Sequence, residues 1–126
     1  MRPSSRSLKR LLAERPQVVA AGAHDALSAR LVEQAGFDAI WASGFGLSAV
    51  RAVPDASILT MSETLEATRA MVEATSIPII ADCDTGFGNA INAVRTADEV
   101  IRAGAAGLFM EDQVSPKRCG FVKGKD

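Results

Sequence analysis

Tyrosine is absent from this 126-residue sequence, tryptophan occurs once and phenylalanine five times. So few rings make no base-stacking platform, and a formal net charge of -1 leaves no basic track for a phosphate backbone. Nucleic-acid binding is therefore not expected. No apolar run approaches the roughly 18 residues that a membrane span needs, so no membrane association is expected either. With one histidine and two cysteines far apart, Cys83 and Cys119, the chain can build neither a closed zinc site of Cys and His ligands nor a disulfide framework. A reducing cytoplasm is the expected compartment. The start, Met1 to Arg10, is basic and serine-rich, but no apolar secretory core follows it. Residues 1–16 are read as a solvated N-terminal helix carrying Leu8, Leu11 and Leu12 rather than as a targeting segment.

The remaining composition, 48% apolar and 23% charged, is that of an ordinary globular domain. Four short runs rich in Val, Ile, Ala and Phe predict buried strands: Gln17 to Ala21, Phe37 to Ala42, Ile77 to Ala81 and Ala106 to Glu111. Their near-continuous apolarity suits parallel strands covered on both faces. Helical periods lie between them. Asp25 to Ala35 carries Leu27, Leu31 and Ala35 on one face, with Gly36 as its stop. Thr60 and Glu63 have capping-box spacing, opening a helix towards Ala74 with Leu65, Met71 and Val72 inward. Ala90, Val94, Ala97 and Ile101 line a third helix, which Gly104 ends.

Strand alternating with helix predicts right-handed crossovers and a parallel sheet. The connection from Ser43 to Leu59 is unusually long and reads as a functional loop. The alternation stops after the fourth strand, and a polar tail runs from Val114 to Asp126. This is the first half of a (β/α)8 barrel, for which about 250 residues are typical. An open four-stranded sheet, complete in itself, is the alternative.

Ligand sites in barrels and open parallel sheets form at the C-terminal ends of strands. The polar clusters fall there: Trp41 to Gly44, Asp82 to Gly86 and Glu111 to Gln113. Asp82, Asp84 and Glu111 are hard oxygen donors, which suit Mg²⁺ or Mn²⁺. The alternative is that these acids cap helices or pair with Arg95 and Lys117. The segment Thr85-Gly-Phe-Gly-Asn89 could cradle a phosphate or carboxylate at a helix N-terminus, or serve only as a tight turn. Packing is the expected role of Cys83, and a loop or helix-entry contact that of His24.

At these residues a resemblance becomes specific. Gly22-Ala-His-Asp-Ala-Leu-Ser-Ala29, Trp41-Ala-Ser-Gly-Phe45, Val53-Pro-Asp-Ala56, Ala81-Asp-Cys-Asp-Thr-Gly-Phe-Gly-Asn89 and Met110-Glu-Asp-Gln113 resemble successive blocks of the isocitrate lyase and phosphoenolpyruvate mutase superfamily. The resemblance implies a helix-swapped (β/α)8 barrel, assembled as a homo-oligomer (dimer or tetramer), and a small oxo- or hydroxy-acid substrate. It also implies Mg²⁺ at the strand ends, bound directly by Asp82 and through water by Asp84 and Glu111. Ser43, Gly44 and Phe45 would hold the substrate's carboxylate and oxyanion, with Trp41 as a wall and Asp55 on the long loop beside it. Residues 114–126 would form the active-site gating loop.

Two parts of the chain point to different branches. Ile40-Trp-Ala-Ser-Gly-Phe45 with Ala52-Val-Pro-Asp-Ala56 resembles phosphonopyruvate hydrolase and phosphoenolpyruvate mutase, which break or move a P–C bond. Glu111-Asp-Gln-Val-Ser-Pro-Lys-Arg-Cys-Gly120 resembles the lyases that cleave a C–C bond in 2-methylisocitrate-like acids through an enolate. The mutases carry Lys after Glu-Asp, then five residues, then Asn-Ser, where this chain has Gln113 and Cys119-Gly120. In the lyase motif the cysteine gives a proton to the departing enolate, which implies catalytic roles for Cys119 and for Lys117 beside it. Phe121 replaces that motif's histidine. The sequence thus favours a Mg²⁺-dependent C–C lyase of a 2-hydroxy di- or tricarboxylic acid, with P–C chemistry or an inactive half-barrel as alternatives.

Overall fold

The computed structural model of the chain describes residues 5–121 and 123. Its elements run α1 (Ser5–Glu14), β1 (Ala20–Ala23), α2 (Ala26–Gln34), β2 (Ala39–Ala42), α3 (Gly44–Val50), α4 (Met61–Ala74), β3 (Ile79–Asp82), α5 (Ala90–Arg102) and β4 (Gly107–Phe109). The strands form one parallel sheet in the order β1-β2-β3-β4.

The first strand begins three residues later than the apolar run Gln17 to Ala21 suggests. Asp38 fixes its start: its carboxylate Oδ2 accepts the Val19 N–H at 2.9 Å, and its own N–H donates to Val19 O at 3.0 Å. Ala20 then pairs with Ala39 and Ala23 with Ala42. In the third strand, Pro78 has no N–H to donate, so the ladder opens at Ile79 while Pro78 O accepts from Ile40 at 2.8 Å. The fourth strand is only Gly107–Phe109, inside the expected span.

One sheet face carries Ile40, Ala42, Ile79 and Ala81, all at 1% exposure or less. It packs on α4, whose Leu65, Met71 and Val72 point inward as the periodicity predicts. The flanking helices turn differently from expectation. In α2, Ala29 is buried and Leu27 and Leu31 are exposed; in α5, Thr96 and Val100 are buried and Val94 and Ile101 are exposed. The stripe that meets the sheet and α4 is the one through Ala29 in α2 and through Thr96 and Val100 in α5. Gly36 and Gly104 end α2 and α5 at positive φ, as expected.

The opposite sheet face carries Trp41 and Phe109, whose rings meet at 5.3 Å between centroids. The N-terminal helix sits at this face's lower end, where a Cβ on Gly107 would lie 3.2 Å from Leu8 Cδ2. Of the helix expected over 1–16, residues 1–4 lie outside the described residues.

The Ser43 to Leu59 connection is not simply a loop. Its first part is α3, which Ser43 caps by accepting the Gly46 N–H at 3.1 Å, with Leu47 and Ser48 buried. Two glycines in the first turn hid it from a propensity reading.

Candidate active site at the strand ends

Backbone bonds tie the ends of β3 and β4 together: Cys83 N–H donates to Phe109 O at 2.9 Å and Glu111 N–H to Asp84 O at 2.7 Å. From β2, the Gly44 N–H donates to Asp82 Oδ2 at 3.2 Å, and the Asp84 N–H donates to Asp82 Oδ1 at 3.2 Å. A Cβ on residue 44 would stand 3.0 Å from Asp82 Oδ2 and 3.3 Å from Asp84 Oδ1. A side chain at this position would press on both carboxylates, and glycine lets the end of β2 come up to the two aspartates.

The centre of the mouth is Lys117. This residue belongs to an exposed tail, yet it is only 2% exposed. Its Nζ lies 2.7 Å from Asp84 Oδ1, 3.1 Å from Asp55 Oδ1 and 3.5 Å from Glu111 Oε1. Burial works against the ammonium, but the hydrogen bond to Asp84 and the charges of Asp82 and Asp84 override it. Lys117 is therefore held protonated above the usual lysine range. Burial pushes the Asp84 carboxyl up, with the Lys117 hydrogen bond and charge acting in the other direction. The Cys83 thiol is pushed up to about 12 by burial and by the adjacent Asp82 and Asp84. Cys83 is wholly buried, its Sγ 3.7 Å from Ala81 O, in keeping with a packing role.

Most residues singled out from the sequence meet here. Asp84, Glu111, Asp55 and Lys117 form one ion-pair cluster, and Asp82 adjoins it through Asp84. Among the described residues, no group of three or more His, Cys, Asp or Glu side chains is arranged to enclose a metal ion. The acids face a lysine ammonium instead, the pairing with Lys117 that the sequence left open. Arg95 pairs with Glu99 on α5, away from the mouth. Of the donors expected for a substrate, the Gly44 N–H is directed at Asp82 and the Ser43 hydroxyl accepts from Gly46. Phe45 and Cys119 line a cavity of about 460 Å³ together with Pro54, Asp55, Arg118 and Phe121.

Within Thr85 to Asn89 the Gly86 N–H donates to Cys83 O at 2.8 Å, and the helix-entry N–H groups that follow are capped by side chains. Asn89 Oδ1 accepts from the Ile91 and Asn92 N–H groups, and Asn92 Oδ1 accepts the Asn89 N–H at 2.9 Å. His24 is a helix-entry residue: its N–H donates to Ser28 Oγ at 3.0 Å, and its Nε2 lies 3.6 Å from Asp25. Two links were not foreseen. Ser57 Oγ accepts the Lys117 N–H at 3.3 Å, and Gln113 bonds both Glu111 and the Arg118 N–H. A lysine in a polar tail carries no burial signal, and in the sequence Gln113 stands out only as a family marker.

Residues 8–123 match the model of the phosphoenolpyruvate phosphomutase family. The chain belongs to this family. Similar curated members of the phosphoenolpyruvate phosphomutase family and its superfamily differ in named activity. A 2,3-dimethylmalate lyase of Eubacterium barkeri is 47% identical over 94% of this chain and 42% of its own length. A phosphonopyruvate hydrolase of Variovorax is 55% identical over 78% of this chain and 34% of its own length. Among solved structures, a phosphoenolpyruvate phosphomutase from Streptomyces platensis superposes with a TM-score of 0.94 at 43% identity, covering 97% of this chain and 42% of that one. A phosphonopyruvate hydrolase in complex with oxalate and Mg²⁺ gives a TM-score of 0.86 at 50% identity, covering 90% of this chain and 40% of that one. The chain thus spans roughly two fifths or less of these relatives, and its four parallel strands with their helices make the first half of the barrel fold.

Proposed function

We propose that the complete protein carrying this chain is a Mg²⁺- or Mn²⁺-dependent lyase that cleaves a C–C bond in a small 2-hydroxy di- or tricarboxylic acid. The carrying observation is the tail of lyase pattern, Gln113 to Gly120, laid over the acid mouth with Lys117 inside it and Cys119 at its rim. The residues suit a divalent cation. A cluster that draws an ammonium to within 2.7–3.5 Å of three carboxylates is a cation site by charge, and its donors are the hard oxygens that magnesium prefers. Asp82, Asp84 and Glu111 would hold the ion, which supplies positive charge to substrate oxygen atoms when bound.

The chain's own side chains then have distinct tasks. Trp41, braced by Phe109, walls the substrate pocket, while the Ser43 hydroxyl and the Phe45 N–H, joined by the Gly44 N–H once Asp82 turns to the cation, would present donors to the substrate's carboxylate. Asp55 and Lys117 latch residues 114–126 as a gating loop, of which 122 and 124–126 lie outside the described residues. Cys119 Sγ delivers a proton to the carbon released by bond cleavage, and the thiolate left behind is reprotonated from solvent when the loop opens.

Cleavage of a P–C bond is the second reading, supported by the 55% identity to phosphonopyruvate hydrolase. One assay separates the two. Wild type and Cys119→Ser are offered 2-hydroxy acids and phosphonopyruvate side by side. The lyase reading expects an oxo-acid product that falls by about 10²- to 10⁴-fold in the variant, the scale of general acid catalysis. Phosphate release that survives the substitution, with no 2-hydroxy acid cleaved, would overturn it.

A further inference from the structure

The side chain of Gln113 joins the acid mouth to the tail that covers it. Its Nε2 donates to Glu111 Oε2, and its Oε1 accepts the Arg118 N–H at 2.9 Å. Both bonds come from one planar amide, which fixes the carboxylate of Glu111 relative to the backbone just before Cys119. Among side chains of this length only an amide can do this: a carboxylate cannot donate, and an ammonium cannot accept. The neighbouring Lys117 N–H goes to Ser57 Oγ and its ammonium to the acids, so two consecutive tail residues are pinned to different parts of the mouth.

We propose that Gln113 is a positioning residue, clamping the tail at Arg118 to Glu111 so that Cys119 is presented only when Glu111 is in its site orientation. The catalytic part rests on the reading of Cys119 given above. The clamp itself is measurable without turnover.

The measurement is amide hydrogen exchange across residues 114–121 in the complete protein, with α5 followed as a control for folding. Gln113→Met removes both bonds and should speed exchange in the tail about tenfold, the scale of one hydrogen bond to a charged group. Gln113→Glu keeps the acceptor for Arg118 but sets a carboxylate against Glu111, and should loosen the tail similarly. Adding Glu111→Gln to Gln113→Glu lets donor and acceptor trade places, so slow exchange should return. A residue that serves only as an acceptor for Arg118 would leave Gln113→Glu like wild type, and that outcome overturns the clamp. So does a double variant that stays loose while α5 is unchanged. In turnover, Gln113→Met should lower kcat about tenfold with KM little changed. The exchange pattern without any C–C cleavage would remove the lyase reading and leave the clamp. Robust cleavage without the exchange pattern would remove the clamp alone.

Discussion

The turn from Asp82 to Asn89 and the tail from Gln113 to Phe121 overhang the same mouth, but they are held in different ways. The turn is secured locally. Asn89 and Asn92 cap each other's backbone, the Thr96 hydroxyl lies 2.8 Å from Gly86 O, and Asp84, Gly86, Phe87 and Gly88 take positive φ. Among the described residues the tail carries no strand or helix after β4, and its bonds to the mouth include one ammonium among three acids, one N–H on the distant Ser57 and the short-range Gln113 bridge between Glu111 and Arg118. A segment held from within behaves as scaffold. A segment held by a few remote charges can leave and return while the fold persists, which is what a gating loop requires.

Removing the ammonium should break this comparison most strongly. Lys117→Met leaves close carboxylates without their counter-charge, and losing one partner of a buried pair costs about 3–5 kcal/mol. Tail exchange should become fast and turnover should fall by about 10²-fold or more. Added Mg²⁺ should raise the melting temperature of this variant more than that of wild type, because the cation then meets no competing ammonium. Equal shifts in a thermal-denaturation titration would count against Mg²⁺ and Lys117 sharing one acid cluster.

On the turn side, Gly86→Ala should destabilise the fold by about 1–3 kcal/mol while leaving the tail docked. Gly86 has φ +98, and an added Cβ would meet Ala93 Cβ at 3.0 Å. Chemical denaturation read together with tail exchange checks this, and loosening of the tail without loss of stability would contradict it. A smaller effect is expected from Asn89→Ala, which removes the α5 cap and should cost about 1 kcal/mol in the same denaturation experiment.

The response to pH should sharpen the contrast further. The folded-state pKa of Lys117 lies above the ordinary 10.5, so its ion pairs contribute fully below that value and are lost only as pH rises through the folded value. Tail protection, corrected for intrinsic exchange, should therefore stay level from about pH 7 to pH 10. The smallest perturbation is chemical labelling. With its thiol pushed up to about 12 and no exposure, Cys83 should resist iodoacetamide at mildly alkaline pH, whereas half-buried Cys119 should react; mass spectrometry of the peptides distinguishes them.

Much of this architecture was legible because its causes are local in sequence. The Thr60–Glu63 capping box opens α4 as read, and the Thr60 N–H donates to Glu63 Oε2 at 2.7 Å. The acid-bearing strand ends also fell where a parallel sheet puts them: Asp84 and Glu111 share the Lys117 ammonium, and Asp82 accepts the Asp84 N–H. The outward turn of Leu27, Leu31, Val94 and Ile101 was not legible. Helical period reports that one face is apolar, not which neighbour is present to cover it. The α3 helix was hidden because its stability comes from the Ser43 cap and from burying Leu47 rather than from intrinsic propensity.

The sequence alone determined the alternation of strand and helix, the placing of carboxylates at strand ends and the family resemblance, because each is written in spacing along the chain. Only the tertiary structure decided that Lys117 lies inside the acid cluster, that Gly44 comes up against Asp82, and that Gln113 spans Glu111 and the tail. Lys117 pairs with Asp55 across 62 residues and Gly44 meets Asp82 across 38. Even the neighbouring Gln113 and Glu111 acquire their meaning only from where the sheet puts the carboxylate. Charges brought together by folding have energies set by distance and burial, and neither quantity exists until the chain is folded.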